Sequence, residues 1–362
     1  MVILLFFVGL ILLILGAEAL VRGASRMATA FHITPLVIGL TVVAYGTGAP
    51  EVAVGINAAI SGQSDITIGN IIGSNIVNIL LIMGLSAILT PLSASHKLVR
   101  MDVPLLIAVS AIVMGLSMNG FFTRMNGIIL FSVLIIYTVY LIYRGRQSKE
   151  KREQIYDEHN DIQSNPPKIG AREIGLIIGG IAFLVIGSGW LVEGAVAFAQ
   201  FFGLSELIIG LTIVSIGTSL PELTTAVVAG FRNERNMAVG NIVGSCLFNL
   251  LGVLGLSSIF TPADIPVAAS VIWFDIPVMI AASIACLPIF FTDGIISRWE
   301  GALFLCFYFA YTAYLILAAA HHDALTVLST AMIYFVIPLT AITLFVLSMM
   351  EIRKRNKRLK KI

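Results

Sequence analysis

Two glutamates stand where a carboxylate is costly. Glu51 closes the run Gly46-Thr47-Gly48-Ala49-Pro50-Glu51, and Glu222 closes Gly217-Thr218-Ser219-Leu220-Pro221-Glu222, each inside a long apolar stretch. At ~1.5 Å of helix rise per residue, a residue 12 to 17 positions in from Pro35 lies near the centre of a bilayer. A charge at that depth costs ~3 kcal/mol or considerably more, and it survives there by protonation, by pairing or by binding a cation. No Lys or Arg falls at mid-depth of any apolar run, which removes pairing. Proline lacks an N–H and clashes with the carbonyl four residues earlier, here Gly46, while neighbouring glycines add backbone freedom. Each run therefore predicts a broken helix, and carbonyls freed in lipid must be satisfied by protein, water or an ion.

Further oxygen donors follow each run. Asn70, Gly73, Ser74, Asn75 and Asn78 come after the first, and Asn241, Gly244, Ser245 and Asn249 after the second. Ser74 and Asn78, like Ser245 and Asn249, are four apart and share a helix face. Carboxylates, hydroxyls, amides and freed carbonyls form an all-oxygen set that suits hard cations such as Ca²⁺ or Na⁺. Gly69, Gly73, Gly84, Gly240, Gly244 and Gly255 are expected to let helices approach closely. Asp102 and Asp275, each two residues before a proline, read as carboxylates near helix N-termini, and Glu18 reads as wetted at an interface. His32, His96, His159, His321 and His322 sit at span ends or in loops, and no Ser, His and Asp gather at one depth to form a nucleophilic triad.

The elements that must position these residues are membrane helices. Of 362 residues, 58% are hydrophobic and 12% charged, with mean hydropathy +0.98, against roughly 25% charged for an ordinary soluble domain. Apolar runs cover 2 to 21, 35 to 60, 68 to 90, 102 to 121, 124 to 143, 173 to 201, 206 to 231, 239 to 260, 271 to 291, 298 to 320 and 325 to 350, lengths that cross ~30 Å of hydrocarbon as helix. An N-terminus outside assigns 21 of the 22 Lys and Arg to the cytoplasm and only Arg124 to the exterior, as the positive-inside bias demands. The first run has no preceding basic region and reads as a retained span. Cys246, Cys286 and Cys306 lie in apolar runs at no metal or disulfide spacing and read as packing residues. The net charge of +2 provides no basic face for nucleic acid.

The chain is also duplicated. Gly39 to Pro91 aligns without gaps on Gly210 to Pro262 at an offset of 171, with 22 identities in 53 positions. Shared Gly-Thr, Pro-Glu, Gly-Asn and Gly-Ser pairs exceed what apolar composition alone produces. Five spans per copy is an odd number, so the second copy enters from the opposite side and the repeats are inverted, an arrangement typical of secondary transporters.

On the paired Gly-Thr-x-x-Pro-Glu runs, each followed by Gly-Asn-x-x-Gly-Ser, the sequence resembles the alpha repeats of the cation/calcium antiporter superfamily, most of all its prokaryotic sodium/calcium exchanger branch. The resemblance covers residues 1 to 320. It implies that Glu51 and Glu222 coordinate Ca²⁺ together with Thr47 and Thr218. It further implies sodium positions at Ala44, Thr47, Gly48, Ser74, Ser215, Thr218, Ser219 and Ser245, with Asn78 and Asn249 beside the centre. Gly48 departs from a common serine, and Asn249 stands where some relatives have aspartate. Calcium/proton relatives carry an acid shortly after Gly-Asn; here Ser74 and Ser245 follow, which favours sodium as the counter-ion.

The expectation is thus an all-α integral membrane protein of two inverted five-helix repeats plus an extra C-terminal helix, with the second and seventh spans broken at the midplane. Its parts are an N-terminal repeat (1 to 143), a cytoplasmic linker (144 to 172) that turns helical around Lys149 to Glu158, a second repeat (173 to 320), and an accessory span with a basic tail (321 to 362). The resemblance implies a non-enzymatic Na⁺/Ca²⁺ antiporter of the plasma (inner) membrane, with a cytoplasmic C-terminus. Ca²⁺, Na⁺ and lipid are its partners; no cofactor, nucleic acid or obligate protein partner is expected. The rivals are a K⁺-dependent or H⁺-coupled antiporter, one carrying Mg²⁺ or Mn²⁺, and a passive cation channel.

Overall fold

A computed structural model describes residues 2–31, 33–95, 98–157, 170–201, 215–291, 294–320, 322 and 324–338. The elements are α1 (Val2–Ala30), α2 (Pro35–Thr47), α3 (Ala49–Ile60), α4 (Ser64–Leu89), α5 (Leu98–Ser117), α6 (Arg124–Asp157), α7 (Ala171–Phe201), α8 (Ser215–Thr218), α9 (Leu220–Phe231), α10 (Arg235–Phe260), α11 (Val271–Leu287), α12 (Arg298–Ala319) and α13 (Ala324–Tyr334). Among the described residues seven helices are long and apolar enough to cross a membrane, and the bent pair α2 and α3 makes an eighth. Runs that are apolar on every side satisfy their backbone internally as helix, which lipid requires. The chain is an integral membrane protein.

Several helices outrun the apolar stretches that predict them. α1 reaches Ala30, α4 starts at Ser64, α5 starts at Leu98, and α6 continues through the charged stretch to Asp157. Backbone hydrogen bonding continues after hydrophobicity ends, so charge bounds the apolar stretch and not the helix. The seventh expected span, 206 to 231, is described from Ser215 onward.

The two copies are interleaved. Strand β1 (Leu92–Ser93) of the first pairs antiparallel with β4 (Ile295–Ile296) of the second, and β2 (Phe121–Phe122) with β3 (Ile265–Pro266). The same exchange relates the glycine contacts. A Cβ on Gly301 would lie 2.6 Å from the Gly84 carbonyl oxygen, and one on Gly127 would lie 2.7 Å from that of Gly255. Antiparallel α1 and α7 meet along a glycine seam, where a Cβ on Gly180 would fall 2.8 Å from the Gly16 carbonyl and one on Gly187 2.8 Å from that of Gly9. At the middle sit α4 and α10. Within their apolar windows 78% and 83% of residues are buried, against 17% for α12, which leaves α12 peripheral.

One end of the bundle gathers charge. Arg22 and Arg232 both pair with Glu18, Arg26 pairs with Glu173, and the Ser25 hydroxyl donates to Glu234. Glu18, expected to be wetted, keeps 25% of its side chain exposed while bridging two arginines.

Candidate functional site

The breaks fall where the two Pro-Glu runs lie. α2 and α3 meet at 47°, and Gly48 between them has φ −78° and ψ 4°, outside the helical range. Ser219, between α8 and α9, has nearly the same values, φ −90° and ψ 7°. The ring clash with Gly46 predicted a break there; the structure relieves it two residues later, immediately before the Ala-Pro and Leu-Pro steps that open α3 and α9. Proline at the first helical turn lacks an N–H that would be unsatisfied anyway, so the break and the restart share one residue pair.

Glu51 and Glu222 follow directly, each in the first turn of its new helix and each buried to 1% exposure. They lie near enough for their charges to interact. Thr47 of the first copy and Ser245 of the second stand beside the Glu222 carboxylate. The Thr47 hydroxyl donates to Asn241 Oδ1 at 3.3 Å, and Thr218 donates to Asn70 Oδ1 at 3.3 Å. Those two bonds are images of each other under the 171-residue offset, and each crosses from one copy to the other. Asn241 also donates from Nδ2 to the Glu222 carbonyl at 3.4 Å. Asn70 and Asn241 are thereby the clasp between copies, a pairing that spacing alone did not reveal although both residues carried the repeat signal.

The remaining expected ligands converge on the same region of α4 and α10. Ser74, Asn78, Ser245 and Asn249 are all buried. Asn78 and Asn249 open wide π-helical turns, Val77–Ile82 and Asn249–Val253, a local widening common at functional sites. Ala44, Thr47 and Gly48 form the last turn and end of α2, all buried. Thr218 and Ser219 end α8; Ser215 begins it, and its side chain lies outside the described residues.

Buried oxygens without hydrogen-bond partners among the described residues mark the site. They include Glu51 Oε2, Ser74 Oγ and Asn78 Oδ1 of the first copy, and Glu222 Oε2, Ser219 Oγ, Ser245 Oγ and Asn249 Oδ1 of the second. Desolvated oxygens left unpaired in this way cost about 1–3 kcal/mol each unless something else satisfies them. Ser86 and Ser257, eight residues beyond Asn78 and Asn249, belong to the same class. Sequence reading passed over them, although the offset of 171 relates them too. Among the described residues, no three His, Cys, Asp or Glu side chains cluster to hold a metal, so the donors are two carboxylates plus hydroxyls, amides and carbonyls. Hard cations accept that mixture.

Two expectations need correction. Asp102 and Asp275 do not cap helix N-termini: both lie inside continuous helices, α5 and α11. Their carboxylates instead accept hydrogen bonds from Tyr137 at 2.9 Å and Tyr311 at 2.7 Å. The Asp-x-Pro spacing resembles a helix start, but π-helical turns upstream carry the helix through. Close approach holds at Gly84, Gly240, Gly244 and Gly255; the residues that the offset sets opposite Gly69 and Gly73, 207 and 211, lie outside the described residues. Cys246 and Cys286 are buried as packing residues, whereas Cys306 is exposed.

Comparison with known proteins places this geometry. The family profile described as "Sodium/calcium exchanger protein" matches residues 1–143 and 172–317. The chain is 38% identical over 307 residues to the putative antiporter CaxA of Alkalimonas amylolytica, covering 84% of this chain and 95% of the relative. It is 31% identical over 339 residues to the sodium/calcium exchanger MaX1 of Methanosarcina acetivorans, covering 85% and 96%. The crystal form of the sodium-calcium exchanger NCX_Mj soaked with 2.5 mM Na⁺ and 0.1 mM Ca²⁺ superposes with a TM-score of 0.72 at 31% identity, covering 88% of this chain and 97% of that one. Two-thirds of the chain and more thus match on sequence and on fold together, and the chain belongs to the sodium/calcium exchanger family of transporters.

Proposed function

We propose that the protein exchanges Na⁺ for Ca²⁺ by alternating access, extruding Ca²⁺ as Na⁺ enters. The observation that carries this reading is the pair of buried carboxylates, Glu51 and Glu222, each with one oxygen unpartnered among the described residues and accompanied by hydroxyl and amide oxygens from both copies. Two carboxylates neutralise one Ca²⁺ or two Na⁺. The ions then compete for overlapping oxygens, and that competition is the coupling. Thr47 and Thr218 complete the Ca²⁺ position; Ala44, Gly48, Ser74, Asn78, Ser215, Ser219, Ser245 and Asn249 serve Na⁺ or are shared.

The architecture in this reading is ten spans in two inverted repeats, 1–143 and 173–320, with α2/α3 and α8/α9 as broken helices at the midplane. Residues 144–172 form a cytoplasmic linker, and 321–362 an accessory span and tail. The charged end of the bundle, bearing Arg22, Arg26 and Arg232, is cytoplasmic, which puts the N-terminus outside in an inner membrane. Swapping the roles of the two copies exposes the site to the opposite side.

The test is ⁴⁵Ca²⁺ uptake into proteoliposomes loaded with Na⁺ and diluted into Na⁺-free buffer. Uptake is expected only with internal Na⁺. Uptake that follows an imposed pH gradient instead points to H⁺ exchange, uptake that needs K⁺ to a K⁺-dependent sibling, and uptake with no counter-gradient to a channel; Mg²⁺ or Mn²⁺ competing as well as Ca²⁺ would reassign the substrate.

A further inference from the structure

The two copies differ at two positions of the site, Ala44 against Ser215 and Gly48 against Ser219. In the second copy, Ser219 carries a buried hydroxyl without a hydrogen-bond partner among the described residues. Its counterpart in the first copy is Gly48, and the direction a side chain would take there is already filled. A Cβ on Gly48 would lie 2.8 Å from Cδ1 and 3.1 Å from Cε1 of Phe248, and 3.1 Å from the Ala44 carbonyl oxygen. The ring edge therefore occupies the place of an oxygen ligand beside that carbonyl.

Phe248 is held there from behind. Tyr45 stacks on it with centroids 4.6 Å apart at 25°. The Tyr45 hydroxyl lies 2.6 Å from Thr138 Oγ1, whose own proton goes to the Leu134 carbonyl at 2.7 Å, so Tyr45 is the donor. With one face of Phe248 covered by Tyr45, the edge turned toward Gly48 is the electropositive part of the ring. That edge has no lone pair to offer a cation. The repeat sets no such aromatic pair in the second copy: the counterparts of Phe248 and Tyr45 are Val77 and Ile216.

We propose that Phe248, held by Tyr45, closes the first-copy flank of the site to a monovalent cation, leaving the flank of Thr218 and Ser219 as the one open to it. This deepens the exchange reading above and rests on it, and it takes Ala44 and Gly48 out of that reading's Na⁺ positions. With one flank closed, Na⁺ has two positions, that flank and the centre between the carboxylates. The site then moves one Ca²⁺ or two Na⁺ against two negative charges, and both loaded forms are neutral. Exchange is two Na⁺ for each Ca²⁺ and carries no net charge.

The experiment reconstitutes the full chain and measures the equilibrium ⁴⁵Ca²⁺ ratio against the Na⁺ ratio, with membrane potential clamped by valinomycin and K⁺. The expected log–log slope is two, unchanged by voltage. One net charge per cycle would move the Ca²⁺ ratio roughly fifty-fold per 100 mV, and a slope of three with that dependence overturns the proposal. The double variant Gly48→Ser, Phe248→Val copies the second copy into the first and is expected to raise the slope toward three and introduce voltage dependence. A folded, active double variant that keeps the wild-type slope also overturns it. Ca²⁺ movement that ignores Na⁺ at every ratio is a separate result: it removes the exchange reading itself, and this proposal with it.

Discussion

The motif Gly-Asn-x-x-Gly-Ser occurs twice in the chain and comes to rest in two different surroundings. In the second copy Gly240, Asn241 and Gly244 are buried against α2: a Cβ on Gly240 would lie 2.7 Å from the Leu36 carbonyl, and one on Gly244 2.7 Å from Leu40 Cα. In the first copy Gly69 is exposed, Asn70 and Gly73 are partly so, and nothing among the described residues approaches either glycine. The residues that the 171-residue offset sets opposite Gly69 and Gly73, 207 and 211, lie outside the described residues.

The chemistry at the centre should ignore this inequality. Glu51→Gln and Glu222→Gln are each expected to cut Na⁺-driven ⁴⁵Ca²⁺ uptake by about 100-fold or more, on the order seen when one of a set of buried neutralising charges is removed, with the elution profile in detergent unchanged. Normal transport by either variant would break the equivalence of the copies at the site where it matters most.

Packing should feel the inequality fully. Gly244→Val drives a side chain into Leu40 backbone that cannot yield, and is expected to destabilise the protein by about 1–3 kcal/mol. At Gly73 no described residue lies within 4 Å of a Cβ, and Gly73→Val should stay within about 0.5 kcal/mol. Thermal unfolding in detergent separates the two; equal losses would mean that both faces are closed.

Much of this was legible in the residues, and what was not has definite causes. Spans follow from hydrophobic length, and the breaks follow from Pro50 and Pro221, because both signals are local. The ligand types followed from the repeat. The Thr47–Asn241 and Thr218–Asn70 clasp was not legible, since residues 194 and 148 positions apart meet only once the copies interleave. Tyr137 and Tyr311 as partners of Asp102 and Asp275 were hidden for the same reason. The plug at Gly48 was hidden differently: the sequence displays the missing serine, but only packing shows Phe248 in its place.

That clasp refines the comparison at the level of single bonds. Asn241 is buried and serves two partners, Thr47 and the Glu222 carbonyl, whereas Asn70 is partly exposed and accepts from Thr218. Asn241→Ala is expected to cost about 1–2 kcal/mol because it orphans buried groups, and Asn70→Ala less than about 1 kcal/mol, since water can replace it. Chemical denaturation in a mild detergent measures both, and a larger loss at Asn70 would overturn that order.

The smallest effect lies at the charged end, where Glu18 bridges Arg22 and Arg232 and Ser25 bonds Glu234. At the opposite end the residues equivalent to Glu18, Arg232 and Glu234 are Gly189, Ser61 and Gln63, which cannot form the same pairs. The charged end therefore carries an ionic latch whose pairs the opposite end lacks at the equivalent positions. Exposed pairs are worth about 0.2–1 kcal/mol each, so Arg232→Gln should loosen that end only slightly. Met237, buried on α10 against α2, gives a reporter: Met237→Cys in a Cys306→Ala background reacts slowly with a maleimide, and Gly69→Cys reacts fast. Adding Arg232→Gln is expected to speed the Met237→Cys reaction about 2–5-fold, the range those pair energies allow, and to leave Gly69→Cys unaccelerated. High salt should mimic the variant by screening the same charges. Acceleration at both cysteines would mean general loosening and not release of one side.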